Sequence, residues 1–162
     1  MRASVLALGL AACLGAFAAG SGSALAEDVV IAQTIEQTKS IDLALVKQLP
    51  ATEETIAFQT EHGQERGTYT GGLLWSVLER SGVLAGVDPR ARLRRTIVVT
   101  GQDGYMAVLA LAEIDPEFEG KPVLLAYERD GQPIPGNELR LVVPGDKRGG
   151  RSVRDVVRIE VR

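Results

Sequence analysis

Residues 62–71 carry several side-chain hydrogen-bond donors between glycines, in a segment that joins a predicted strand to a predicted helix. The candidate ligand-binding donors in this segment are His62, Arg66 and Tyr69. Glycines allow a backbone to approach a ligand closely, and the N-terminus of the helix that follows favours an anion. The sequence therefore predicts a ligand-binding loop here. His62 is also interpreted more simply, as a surface or capping group.

The C-terminal segment 147–154 combines backbone amides with four cations, as a phosphate or a polar ring requires. Its candidate ligand-binding residues are Lys147, Arg148, Gly150, Arg151, Ser152 and Arg154. Arg140, on the predicted strand before Pro144, adds a further cation. A solvated basic loop, or a patch for an acidic partner, remains an alternative interpretation.

Two further candidates lie between these segments. Asp103 and Tyr105 stand in a turn between predicted strands, where a carboxylate and a phenol can bind a heterocycle rich in N–H groups. The alternative is a hairpin turn without a ligand. Trp75 lies one step from the apolar face of a predicted helix, so it is either a packing residue or a stacking surface for a ring.

Many common chemistries are missing from the chain. It has one histidine and one cysteine, too few for a His/Cys metal site. It has no phosphate-binding, dinucleotide-binding or hydrolase motif. A net charge of −3 and a pI near 5.3 argue against nucleic-acid binding. The 162 residues suit one domain.

The first 26 residues have the pattern of a cleaved secretory signal. Arg2 precedes an apolar run over residues 5–19, and Ala24-Leu25-Ala26 provides a small-residue cleavage site. We expect a periplasmic protein, residues 27–162, that does not span a membrane and has no cysteine for disulfide or thiolate chemistry. A lipoprotein box ending at Cys13 is the minor alternative.

The predicted elements define an α+β class that is mainly β with a few inserted helices. Strands are predicted at residues 55–60, 95–100, 105–109, 123–128, 139–143 and 153–161, and helices at 72–81, 110–115 and 41–49. Gly82 is the expected C-cap of the clearest helix. Residues 27–65 have a net charge of −6 and residues 140–162 a net charge of +4. This asymmetry predicts a face that attracts anions, although chance asymmetry on a solvated surface explains it equally.

Five segments in order carry a resemblance to a known family: residues 72–82, 103–105, 125–128, 139–145 and 149–154. Their order and distances resemble the molybdopterin-binding domain of the sulfite oxidase family, in its short stand-alone bacterial form. The resemblance implies an α+β fold with a pterin site made by loops. It also implies that residues 150–154 contact the pterin and that Arg140 approaches the phosphate of the cofactor.

Two departures from the family pattern bear on function. Thr60 stands near the position of the molybdenum-ligating cysteine, and a hydroxyl does not replace a soft thiolate. Residues 135–138, Pro-Gly-Asn-Glu, replace the usual His-Gly and Pro, and Glu138 would repel a phosphate. We therefore expect a pterin, either molybdopterin or a metal-free pterin, and no molybdenum or other metal.

Three functions follow from this resemblance. The favoured one is a non-catalytic, pterin-responsive regulator of the periplasmic domain of a membrane signalling protein, as in cysteine-less members of the fold. The alternative is a molybdenum-cofactor-dependent oxidoreductase domain or subunit. The third is a partner-binding scaffold with an empty slot.

Overall fold

Ten strands and four short helices are formed by residues 29–32 and 38–162, which are the residues that the structure, a computed structural model, describes. The strands are β1 (Val29–Ala32), β2 (Thr38–Ile41), β3 (Ala51–Thr60), β4 (Gly63–Leu73), β5 (Thr96–Gly101), β6 (Met106–Ala110), β7 (Leu124–Arg129), β8 (Gln132–Pro133), β9 (Arg140–Val142) and β10 (Val156–Val161). The helices are α1 (Leu43–Gln48), α2 (Leu74–Ser81), α3 (Pro89–Arg92) and α4 (Leu111–Ile114).

The strands form two sheets. The first has the order β2-β1-β10-β5-β6, in which only the β1–β10 pair is parallel. The second has the order β3-β4-β7-β8, and β9 pairs with the other end of β7. This is the mainly β, α+β fold predicted from the sequence.

Strand β7 is buried on both faces and separates two apolar clusters. Leu125 and Tyr127 belong to the larger cluster, which the first sheet and α2 share. Leu124 and Ala126 belong to a smaller cluster with β3 and β9. Because side chains alternate across a strand, one short apolar run supplies both clusters. The second sheet is thereby held between the main core and the face that carries the candidate site.

The predicted helices are all present, each slightly shorter than expected. Helix α2 ends at Gly82, whose φ of 74° is left-handed and whose N–H donates to the carbonyl of Glu79 at 2.9 Å. Helix α1 begins after Asp42, whose carboxylate accepts from the N–H of Leu45 at 2.7 Å. Helix α3 was not predicted, although Asp88-Pro89 is a typical helix start.

The prediction of a loop over residues 62–71 is wrong. These residues form most of β4, which pairs with β3 along its length. The glycines serve packing here: a Cβ on Gly71 would lie 2.3 Å from the carbonyl oxygen of Leu125 in β7. Gly71 therefore allows two strands to approach closely, and it does not form a flexible ligand loop.

Strand boundaries also differ at the C-terminus. The strand predicted at 153–161 begins only at Val156, because Asp155 has a left-handed φ of 48°. The predicted signal segment, 1–26, lies outside the described residues. No helix within residues 29–32 and 38–162 is long and apolar enough to cross a membrane.

Candidate ligand-binding groove

Three adjoining hollows form a groove around Arg154, which lines all of them. Their volumes are about 620, 390 and 380 Å³. Arg140 lines the first and second, Arg129 the first and third, and Glu65 and Thr60 the second and third. We call this continuous surface the arginine groove.

Backbone hydrogen bonds place the C-terminal segment across the ends of β3 and β9. The N–H of Gln59 donates to the carbonyl of Lys147 at 3.0 Å, which attaches the segment to β3. The N–H of Leu141 donates to the carbonyl of Val153 at 2.8 Å, which attaches it to β9. The groove is therefore built from elements far apart in the sequence, with its arginines on a fixed backbone.

Glu65 lines two of the three hollows and binds three side chains through one oxygen. Its Oε1 accepts from Arg129 at 3.0 Å, from Tyr69 Oη at 3.1 Å and from Arg140 at 3.3 Å. Burial raises the pKa of Glu65, but Arg140, the Tyr69 hydroxyl, Arg129 and Arg154 outweigh it and hold that pKa below its ordinary value. Arg129 and Arg140 are thus partly neutralised within the protein.

The aromatic ring of Tyr69 packs beneath the same two arginines. The guanidinium carbons of Arg129 and Arg140 lie 5.5 and 5.2 Å from its centroid, within cation–π range. Burial of the phenol is the main cause that raises the pKa of Tyr69. Ser152 holds Arg140 from another side, accepting from its Nε at 3.0 Å and donating to the carbonyl of Leu141 at 3.1 Å.

Three other arginines in the groove are free to bind a ligand. Within the described part of the chain, the guanidinium groups of Arg66, Arg148 and Arg154 form no ion pair and donate no hydrogen bond, and all three residues are exposed. Arg66 lines the 380 Å³ hollow and Arg148 the 390 Å³ hollow. Exposed guanidinium groups aimed at a concave surface favour an anion or a polar ring.

Two carboxyl groups, those of Glu138 and Asp155, line the 620 Å³ hollow together with Arg154. A hydrogen bond with the carboxyl of Asp155, together with burial and the negative charge of Asp155, raises the pKa of Glu138 to about 7. Pro133, Ile134 and Pro135 line the same hollow. The hollow therefore combines an apolar surface, two neighbouring carboxyl groups and the exposed guanidinium group of Arg154.

The structure brings eight of the predicted ligand-binding residues to the groove. They are His62, Arg66, Tyr69, Arg140, Arg148, Gly150, Ser152 and Arg154. Thr60 also lines it, in the β3–β4 turn, where its hydroxyl donates to the carbonyl of Gly63 at 2.8 Å and accepts from the N–H of His62 at 3.1 Å.

Trp75, Asp103 and Tyr105 are not among the lining residues, and the structure gives them other contacts. Trp75 packs against the main core with the guanidinium of Arg92 5.5 Å from its ring. The carboxylate of Asp103 accepts from the N–H of Tyr105 at 2.8 Å, which closes the hairpin turn. Tyr105 Oη donates to the carbonyl of Gly150 at 2.6 Å, supporting the groove segment from outside.

Arg151 and Lys147 do not line the groove either. Arg151 pairs with Asp146 at 2.6 Å and with Glu113 of α4 at 3.0 Å. The hydrogen bond to Asp146 is the largest cause that raises the pKa of Arg151. These two carboxylates neutralise the charge of Arg151, and the pair with Glu113 attaches the C-terminal segment to α4. Lys147 contributes its backbone carbonyl to β3, and its side chain is exposed.

Sequence reasoning missed four residues of the site. Glu65 and Arg129 meet from positions 64 residues apart, and no local pattern marks that contact. Glu138 was noted only as a group that would repel phosphate, whereas the structure pairs it with Asp155. Their signal in the sequence was indirect: Glu65 lies inside residues 62–71, and Arg129, Glu138 and Asp155 each directly adjoin a segment already singled out.

The two-sheet α+β fold, with a groove formed by strands and the C-terminal segment, is that of a sulfite-oxidase-type molybdopterin-binding domain. The chain belongs to the oxidoreductase molybdopterin binding domain family, whose model matches residues 27–162.

Among solved structures, the sulfane dehydrogenase SoxCD from Paracoccus pantotrophus superimposes with a TM-score of 0.67 at 18% sequence identity. The match covers 86% of this chain and 39% of that one, so this chain spans well under half of its neighbour's length. At this identity the likeness concerns the fold. No curated protein matches the sequence.

Proposed function

We propose that this protein is a periplasmic pterin-binding protein that acts without catalysis, as a ligand-responsive regulator of a membrane signalling partner. The observation that carries the proposal is the composition of the arginine groove. It retains free guanidinium groups on Arg66, Arg148 and Arg154, while Thr60 stands near the position where the family resemblance places a metal-ligating cysteine.

The groove suits a flat, polar heterocycle. The 620 Å³ hollow is within the range of small-molecule sites. Its apolar surface and the plane of a guanidinium group can stack on the two faces of a ring. The carboxyl pair and Arg154 can bind the polar edges. A pterin has both kinds of surface, and a phosphorylated pterin would also use the remaining cations.

The residues present do not fit a cysteine-ligated molybdenum ion. The Thr60 hydroxyl is engaged in turn hydrogen bonds to Gly63 and His62, and oxygen is a poor substitute for a soft thiolate ligand. Cys13, the single cysteine of the chain, precedes the family match, which begins at residue 27. Within residues 29–32 and 38–162, no three His, Cys, Asp or Glu side chains are grouped to hold a metal.

Export and regulation rest on the sequence. The signal pattern at residues 1–26 supports a periplasmic location. Because the metal-ligating cysteine is missing, a signalling role is favoured over an oxidative one. Such a role requires a partner, and we propose a membrane protein with a periplasmic domain.

Calorimetric titration with reduced and oxidised pterins tests the proposal, using protein purified from the periplasm. We expect micromolar or tighter binding of a metal-free pterin, weakened at least about tenfold in Arg154→Gln by loss of a charge-assisted hydrogen bond. The matched control is Arg94→Gln, an exposed arginine outside the groove, which should bind like the wild type. Absence of pterin binding would overturn the proposal, and molybdenum near one per chain with redox activity would support the oxidoreductase alternative.

A further inference from the structure

We propose, on the basis of the pterin binding proposed above, that Glu138 and Asp155 determine which ring the groove accepts. The carboxyl pair binds the 2-amino-4-oxopyrimidine edge of a pteridine, and it discriminates against 2,4-dioxopteridines, which lack the amino group. The pair is thus a specificity determinant in a part of the groove that the sequence indicated only as repulsive to phosphate.

The backbone fixes both carboxyl groups at one place. The N–H of Val156 donates to the carbonyl of Leu139 at 2.9 Å, so the residues that follow Asp155 and Glu138 are joined directly. The N–H of Gln102 donates to the carbonyl of Asp155 at 2.8 Å, which ties that turn to the first sheet. The two carboxyl groups consequently meet although they are 17 positions apart in the sequence.

The Glu138 side chain is also confined by its own turn. A Cβ on Gly136 would lie 2.6 Å from Glu138 Oε1, so the carboxyl group packs directly over the Gly136 backbone. Such confinement means that a ligand meets a carboxyl group already positioned, with less loss of side-chain freedom on binding.

The hydrogen-bonding chemistry of the pair explains the discrimination. A carboxylate only accepts hydrogen bonds, and its two oxygens match two parallel N–H donors. The ring N3–H and the 2-amino group of a pterin provide that pair of donors. A 2,4-dioxopteridine places a carbonyl oxygen where the amino group stands, so an acceptor faces an acceptor. Sites built to satisfy a polar group reject analogues that lack it far more strongly than apolar pockets do.

The charges around the pair set its pH dependence. The Asp155 carboxyl is hydrogen-bonded to Glu138, Arg154 directly precedes Asp155 in the chain, and Arg140, Arg129 and Tyr69 line the same hollow. Glu138 keeps a proton to about pH 7 because of Asp155 and burial. Ring binding through N–H donors requires the ionised form, so affinity for a pterin should rise from about pH 5.5 to about pH 7.5 as that proton is lost.

The experiment is a calorimetric titration of unsubstituted pterin and lumazine, its 2,4-dioxo counterpart, over that pH range. Wild-type protein should prefer pterin by at least about tenfold. Glu138→Gln should reduce the preference to less than about threefold and abolish the rise of pterin affinity with pH. Glu79→Gln, the same change at an exposed site on α2, should behave like the wild type.

Asp155→Asn provides a second variant that preserves the backbone, because asparagine tolerates the left-handed φ of 48° at this position. It should also diminish the pterin preference, and thermal unfolding confirms that each variant is folded. If wild-type protein binds both rings equally, or if both variants keep the preference, the inference is wrong while pterin binding stands. If neither ring nor any reduced pterin binds wild-type protein, the proposed function itself fails.

Discussion

Nη1 of Arg140 lies 3.3 Å from Oε1 of Glu65, across 75 residues of sequence. The same oxygen accepts from Arg129 and from the Tyr69 hydroxyl. Arg140 is only 8% exposed, so its position is set by these contacts and by Ser152 before any ligand arrives. Glu65 therefore organises the cations of the groove, and the free charge at the surface comes from the other arginines.

Replacing Glu65 by glutamine should lower the free energy of unfolding by about 2 kcal/mol near pH 7, because two arginines lose their shared carboxylate. The pKa of Glu65 is held below its ordinary 4.5, so its contribution is complete above that pH and disappears as the pH falls through the folded-state pKa. Chemical denaturation at a series of pH values measures both effects. An unchanged acid sensitivity in Glu65→Gln would contradict this role.

Substitutions of Arg151 and Arg154, three positions apart, should have different effects: the first should lower folding stability and the second should lower pterin affinity. Arg151→Gln breaks the pairs with Asp146 and Glu113 and should cost about 2 kcal/mol of folding stability. Arg154→Gln breaks no ion pair within the described residues, so it should change stability by less than about 0.5 kcal/mol. Denaturant unfolding of both variants, with pterin titration alongside, checks the contrast. The prediction is wrong if Arg151→Gln is as stable as Arg154→Gln.

The contrast between these two arginines also shows where sequence reasoning stops. Residue type and the family resemblance indicated a cationic segment, and the structure places Arg154 and Ser152 of that segment along the groove with Arg140. Which cation is free depends on Glu113, which is 38 residues away on α4 and pairs with Arg151. A partner contributed by a distant element leaves no trace in the local pattern.

Local sequence patterns predicted the fold better than they predicted the contacts of the candidate site. The apolar spacing and Gly82 predicted α2, and runs of β-branched residues predicted β5 and β10 with small boundary errors. Strand β4 was missed because its glycines and polar donors resemble a loop. A glycine is required at position 71 because the backbone of β7, 54 residues further along the chain, passes close to it. Residues 62–71 alone do not reveal that contact.

Gly71→Ala should accordingly be strongly destabilising. The new Cβ would lie 2.3 Å from the Leu125 carbonyl oxygen and 2.6 Å from Cα of Ala126, both backbone atoms that cannot rotate away. We expect a loss of about 3 kcal/mol, since the two strands must separate to admit the methyl group. Gly150→Ala is the control, because the nearest atom to its Cβ is Tyr105 Oη at 4.0 Å. Thermal unfolding compares them, and equal midpoints would refute the packing argument.

Glu138→Gln should change the free energy of unfolding at a higher pH than Glu65→Gln does, because the pKa of Glu138 is raised and that of Glu65 is lowered. The pKa of Glu138 rises from 4.5 to about 7 on folding, so the folded state holds a proton that the unfolded chain releases. The wild type therefore loses unfolding free energy as the pH rises from about 4.5 to about 7, and that loss is complete above the folded-state pKa. Glutamine carries no such proton, so the variant should show a flatter profile across this window while keeping the acid sensitivity due to Glu65. Denaturation profiles of the two variants with the wild type separate the two carboxyl groups, and a Glu138→Gln profile that falls as steeply as the wild type between pH 5 and pH 7 would show that Glu138 is ionised normally in the folded protein.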